Sequence, residues 1–295
     1  MALRFTGGKN QYGDRNMKLL KLLIVSALVL PALCSCTSVN KDLDATYKPQ
    51  GTITASAGKD WESVLYNTQY RVVNNVWNKK AATGSRFQTV FVENNGSSTG
   101  PGWQWDWVNS SGMVVAYPEV IYGDKPWDPL SGIASPFPCQ AGLCTITADF
   151  DASVNARGVY NMAFSVWCVS GLPEGIDNIT HEIMIWTMNR GMKPAGKKYA
   201  DTVIDGKEYS VYVKGGHTDN SGGSNHSWTY IAFEAKQDIT SGPFPVSRFT
   251  DYLISQNLLD RTSYITSVEL GNEIVSGTGC TEIQNYAVSV DTRTE

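Results

Sequence analysis

His181-Glu182-Ile183-Met184-Ile185-Trp186 alternates with a period of two. Successive side chains of an extended strand point to opposite faces. Glu182, Met184 and Trp186 therefore share one face, and His181, Ile183 and Ile185 the other. The isoleucine pair suits a core.

The same kind of segment recurs on both sides. Residues 70–73, 88–92, 114–117 and 160–167 are β-branched and aromatic, as are 208–213, 228–233 and 264–268. Turns rich in Gly, Asn, Ser or Pro separate most of them. One stretch has helical spacing instead: Val246, Phe249, Leu253 and Leu258, with Ser247 as N-cap after Pro245. Many short strands and one helix predict an all-β protein, a β-jelly-roll sandwich of two antiparallel sheets. Composition agrees. Of 295 residues only 18% are charged, while 27 are Gly and 9 are Trp, which excludes a disordered chain, a coiled coil and a helical repeat array.

The N-terminal residues read as an export signal. Lys18 and Lys21 form a short basic region, and Leu22 to Leu33 is apolar apart from Ser26 and Pro31. That stretch is short for a membrane span. Leu33-Cys34-Ser35-Cys36 resembles a bacterial lipobox, with Cys36 as the lipid-attachment residue; an ordinary cleaved signal is the alternative. Met17 stands just ahead of the basic pair, and residues 1–16 carry no readable pattern. The expected organisation is a signal peptide at 1–35, Cys36 and a polar tether to 50, and one domain over 51–295. Residues 1–35 hold five basic residues and one acidic one, so the formal charge of −4 becomes −8 without them. An acidic exported chain without a basic stripe argues against a nucleic-acid partner. The expected contact with a membrane is through the lipid alone, and the expected state is a monomer at the outer membrane or cell surface, or secreted.

Four cysteines remain: Cys139, Cys144, Cys168 and Cys280. Export permits disulfides. Cys139 and Cys144 are close enough to close a small loop, whereas Cys168 and Cys280 are left to pair or stay free. No C-x-x-C motif occurs, and the three His have no metal-ligand spacing, so no metal is expected. His217 and His226 fall in a Gly/Ser/Asn-rich stretch and read as loop surface.

The face of residues 181–186 opposite the isoleucines sets a carboxylate, a thioether and an indole in a row. Such a face fits glycoside chemistry: a pyranose stacks on the indole while the carboxylate approaches the anomeric carbon. An exposed glutamate beside two packing residues is the plainer alternative. A second strand from Tyr264 to Glu273 puts Ser267, Glu269, Gly271 and Glu273 on one face. Two carboxylates on two strands of one concave sheet would make the pair that glycosidases use. Gly102-Trp103-Gln104-Trp105-Asp106-Trp107 places three indoles on one strand face. Core packing explains such a face, and so does a substrate platform.

At this point several motifs, in order, resemble glycoside hydrolase family 12, the endoglucanases and xyloglucanases. They are Tyr70-Arg71-Val72-Val73-Asn74-Asn75-Val76-Trp77-Asn78, Val115-Ala116-Tyr117-Pro118-Glu119-Val120, Glu182 to Trp186, Trp228 to Phe233 and Tyr264 to Glu273. The resemblance implies a jelly roll with an open cleft, one helix, retention of configuration and no cofactor. It implies Glu182 as nucleophile and Glu273 as acid/base. It implies Asn75 and Trp77 on the donor side of the cleft and Met184 beneath the catalytic subsite. Trp103, Trp105, Trp127 and Trp186 are further candidates for substrate contact.

Three departures stand out, the Trp-rich 102–107 stretch being one. The family often places an Asp on a neighbouring strand, hydrogen-bonded to the nucleophile; here Ser165 holds that position. Residues 123–143, with Trp127 and several prolines, form a longer connection than usual. The expected substrate is a β-1,4-glucan polysaccharide, xyloglucan or a related β-glucan. Cellulose or mixed-linkage glucan is the nearest alternative, and a non-catalytic glycan-binding lipoprotein the alternative of another class.

Overall fold

The computed structural model describes residues 47–84, 86–128, 135–218 and 226–293. The expected signal peptide, Cys36 and most of the tether lie outside the described residues. The strands are β1 Thr52–Ala57, β2 Ser63–Tyr66, β3 Tyr70–Val73, β4 Arg86–Asn94, β5 Thr99–Trp107, β6 Glu119–Gly123, β7 Cys139–Gln140 and β8 Cys144–Val169. They continue with β9 Ile179–Arg190, β10 Lys197–Ile204, β11 Lys207–His217, β12 Trp228–Ala235 and β13 Ser241–Phe244. The helix α1 Val246–Ser255 follows, then β14 Tyr264–Ile265, β15 Ser267–Gly271 and β16 Ile274–Thr292. Among the described residues no helix is long and apolar enough to cross a membrane.

The fold is the expected mostly-β jelly roll with one α-helix, but two details differ from the expectation. First, hydrogen bonding is continuous rather than split into two sheets: one path runs β1-β4-β5-β16-β8-β15-β6-β3-β2. The cause is the length of β8. Its first half pairs with β16, and its second half pairs with β9 and β15. Gly158 and Gly277 face each other in register with φ of +124° and +114°. A Cβ on either would lie within 2.2 Å of the opposite strand's carbonyl, so only glycine permits the two strands to approach there. Second, β12 pairs with β9 in parallel, so the sheet is not wholly antiparallel.

Residues 114–117 are not a strand. They make a single bridge, Ala116 to Ile274, and carry the chain past β16. The helix begins where the spacing predicts, yet Ser247 is not its cap. Pro245 occupies that position, and the buried Ser247 hydroxyl donates instead to the Ile146 carbonyl. Phe249 on α1 packs edge-on against Tyr209 and Phe233 and stacks on Phe244.

The core takes one face of β9: Ile183 and Ile185 are fully buried in it, with Phe164, Phe233 and Leu270. Met184 and Trp186 belong to a separate cluster with Tyr117, Ala163, Tyr230 and Ala232, against which Trp77 and Met192 pack. Alternation along the strand thus feeds two apolar assemblies.

Candidate active site

That second cluster floors a cleft of about 400 Å³. Strand register fixes its layout. Glu182 on β9 lies beside Trp167 on β8 and Tyr230 on β12. Two residues on, Met184 lies beside Ser165, which also faces Glu269 on β15. The strand expected from Tyr264 to Glu273 ends at Gly271, so Glu273 lies two residues beyond β15 and enters the cleft just ahead of β16.

Both carboxylates are half-buried and held. The Trp228 indole N–H donates to Glu182 Oε2 at 2.9 Å. The Asn161 amide donates to Glu273 Oε2, while its Oδ1 accepts the Glu273 backbone N–H at 2.9 Å. Asn161 is itself fully buried. Burial holds the Tyr230 phenol well above its usual pKa, and the charges of Glu273 and then Glu182 push it further. The Tyr230 hydroxyl therefore stays protonated.

Asn75, Trp77, Trp127, Ser165, Met184 and Trp186 also line this cleft. Asn75 is buried and donates to Glu119 Oε1 at 3.0 Å, and its Oδ1 has no hydrogen-bond partner. Trp127 meets Trp167 edge-on, with ring centroids 4.6 Å apart.

Trp103 and Trp105 are elsewhere, which corrects their assignment as substrate platforms. Both are fully buried in the main core. Trp103 donates to Asn272 Oδ1 at 2.7 Å, and Trp105 packs edge-on against Tyr160. The strand β5 lies between β4 and β16, and its indole face turns inward. The reading of His217 is corrected as well. It lines the cleft, with its ring 5.2 Å from Tyr230 and 5.6 Å from Trp228. Its strand is longer than the sequence pattern indicates.

No sequence pattern indicated the charged groups Lys125 and Lys193 in the cleft lining. Lys125 is 2% exposed, and its Nζ lies 2.7 Å from Glu269 and 3.2 Å from Glu119, both 0% exposed. Ser267 donates to Glu269 at 3.1 Å. Burial lowers the Lys125 pKa, but Glu119 and Glu269 more than offset it and the net direction is upward. Burial, followed by the charge of Glu269, holds the Glu119 carboxyl well above the usual range. Alternation along β15 put Glu269 on the face of Glu273. Nothing in the sequence pointed to Lys125, which lies outside any strand, or to its pairing.

Cys139 and Cys144 are brought together as thiols with their sulfurs 2.9 Å apart. Cys280 faces Asn155 on β8, and Cys168 lies thirteen residues farther along that strand. Bridged Cα atoms lie within about 7 Å, so Cys168 and Cys280 cannot pair. Among the described residues no group of three or more His, Cys, Asp or Glu is arranged to hold a metal ion.

The profile of glycosyl hydrolase family 12 matches residues 68–291. Endoglucanase S of Pectobacterium parmentieri is 32% identical, covering 81% of this chain and 89% of that protein. A xyloglucan-specific endo-beta-1,4-glucanase of Phytophthora nicotianae is 26% identical, covering 80% of this chain and 93% of that protein. The native family 12 xyloglucanase from Bacillus licheniformis superposes with a TM-score of 0.70 at 30% identity, over 80% of this chain and all of that one.

Proposed function

The chain belongs to glycosyl hydrolase family 12, and from that premise we propose that it is a retaining endo-β-1,4-glucanase acting on xyloglucan or a related β-glucan. Glu182 is the nucleophile and Glu273 the general acid/base. The observation that carries this assignment is that Glu182 and Glu273 line one aromatic-floored cleft, the first held by Trp228 and the second by Asn161.

In the first step Glu273 gives its proton to the leaving glucosyl oxygen. A Glu182 oxygen attacks the anomeric carbon, and the glycosidic bond breaks as the glycosyl-enzyme ester forms. Glu273, now ionised, takes a proton from water; the hydroxide oxygen bonds to the anomeric carbon and Glu182 leaves. Asn161 keeps Glu273 in place through both exchanges. Trp77, half-buried at the cleft, offers indole surface to glucose rings, while the buried Trp186 packs beneath it. A neutral glucan meets no charge penalty in a cleft that carries more carboxylates than cations.

The xyloglucan preference rests on two relatives that carry xyloglucan in their names. Endoglucanase S carries no such restriction in its name, so unbranched glucan is the second reading. The test is reducing-end release from tamarind xyloglucan, barley β-glucan and carboxymethyl cellulose. Glu182→Gln and Glu273→Gln are run alongside. No release from any glucan by the parent overturns the enzyme reading, and unchanged activity in either variant overturns that residue's role.

We further propose, from the lipobox-like Leu33-Cys34-Ser35-Cys36, that the exported protein is a monomer tethered by a lipid on Cys36, with release as a secreted form the alternative. Cys36→Ser should release it from membranes; persistent membrane association of that variant contradicts the anchor.

A further inference from the structure

We propose that Trp228 is the positioning residue of the nucleophile, holding Glu182 in its ionised form through a neutral indole N–H. The proposal rests on the assignment of Glu182 above. It deepens that assignment at the point where this chain departs from its family, since Ser165 stands where an acidic partner is common. Ser165 lies between Met184 and Glu269 on the neighbouring strands, and a hydroxyl there is not a titrating acid.

Trp228 opens β12, and Tyr230 two residues on is the parallel neighbour of Glu182. Trp228 and Tyr230 share a strand face, so the indole sits diagonally across from Glu182 and reaches its Oε2 at 2.9 Å. The ring has little freedom to leave. It is 3% exposed and meets Trp167 edge-on at 5.3 Å. Trp167 is in turn the neighbour of Glu182 on β8 and abuts Trp127 from the rim. On the other side His217 meets the Trp228 ring at 5.6 Å. A wall of three indoles therefore locks one N–H onto one carboxylate oxygen.

Chemistry gives the lock a purpose. A hydrogen bond donated to a carboxylate favours the charged form, which is the form that attacks. A carboxylic acid in the same place would exchange a proton with the nucleophile and tie the two ionisations together. An indole has no proton to give up in the working range. The other titratable groups facing this part of the cleft are Tyr230 on β12, His217 on β11 and Glu273, with Glu269, Lys125 and Lys193 farther along the lining. All of them remain in a Trp228 variant, so a change in the acid limb reports the indole.

Two measurements test this. The first is a pH titration of the indole ¹H–¹⁵N resonances of the parent, in which Trp228 should move with the midpoint of the acid limb of kcat/KM. In Glu182→Gln that movement should vanish. The second is the pH profile of Trp228→Phe on xyloglucan. Its acid limb should rise by about one pH unit, and kcat/KM should fall roughly 10- to 100-fold through kcat rather than KM, as for loss of a hydrogen bond to a charged group. A Trp228 resonance that ignores the midpoint, or an unmoved acid limb in folded Trp228→Phe, overturns the proposal. If the variant does not fold, the parent titration decides alone. An inactive parent would instead sink the glucanase reading itself.

Discussion

Lys125 and Glu269 meet at 2.7 Å inside the cleft floor with both side chains at 3% exposure or less. A buried pair of this kind owes its stability to completeness: attraction between the partners repays desolvation only while neither is missing. Lys125→Met leaves Glu269 without its cation and should cost about 3–5 kcal/mol. Urea unfolding at neutral pH measures it. A loss within ~0.5 kcal/mol, the range of an ordinary surface change, would contradict the pairing.

Glu93 gives a pH signature away from the cleft. Burial, then a hydrogen bond with Glu282, pushes its carboxyl up to about 7, while the Gly51 N–H pulls the other way. The native state therefore holds a proton that the unfolded chain has released above its own pKa of about 4.3. Stability falls as pH rises through that window, and the loss is complete above about pH 7. Glu93→Gln keeps the shape and removes the titration. The variant should lose this slope and overtake the parent between pH 5 and pH 8 in paired urea melts.

Cys139 and Cys144 should bond in an oxidising compartment. The exported protein should lose 2 Da relative to its reduced form, by intact mass. Closing so short a loop contributes roughly 2 kcal/mol in the chain-entropy account. Cys139→Ser should therefore lower the melting temperature of oxidised protein and leave that of reduced protein close to the parent's.

The tryptophans should separate into two kinds. Trp103→Ala removes a fully buried indole and its bond to Asn272. It should cost about 3–5 kcal/mol of stability. Trp77→Ala should instead raise KM on xyloglucan roughly 3- to 10-fold, the size of one aromatic contact, with little change in melting temperature. Equal effects of the two on KM would contradict the division.

Much of this was readable in the chain. Period-two alternation located β9 and split Ile183 and Ile185 from Glu182, Met184 and Trp186, because the strand backbone alone sets that split. The order of motifs placed Glu182 and Glu273 in one family's pattern. The direction of the Trp103–Trp107 face was not readable. A sugar-binding floor and a hydrophobic core use the same side chains, and only the position of β5 between its neighbours shows which one those indoles join.

What the sequence by itself determined, then, is the local part: which segments extend, which residues share a face and, through the order of motifs, which two carboxylates match the family's pair. Tertiary structure decided the partners. Lys125 finds Glu269 across 144 positions, Trp228 finds Glu182 across 46, and β12 joins β9 in parallel. Alternation is a property of one strand's backbone, whereas each of these contacts depends on the register between strands, which is set by how all the layers pack together.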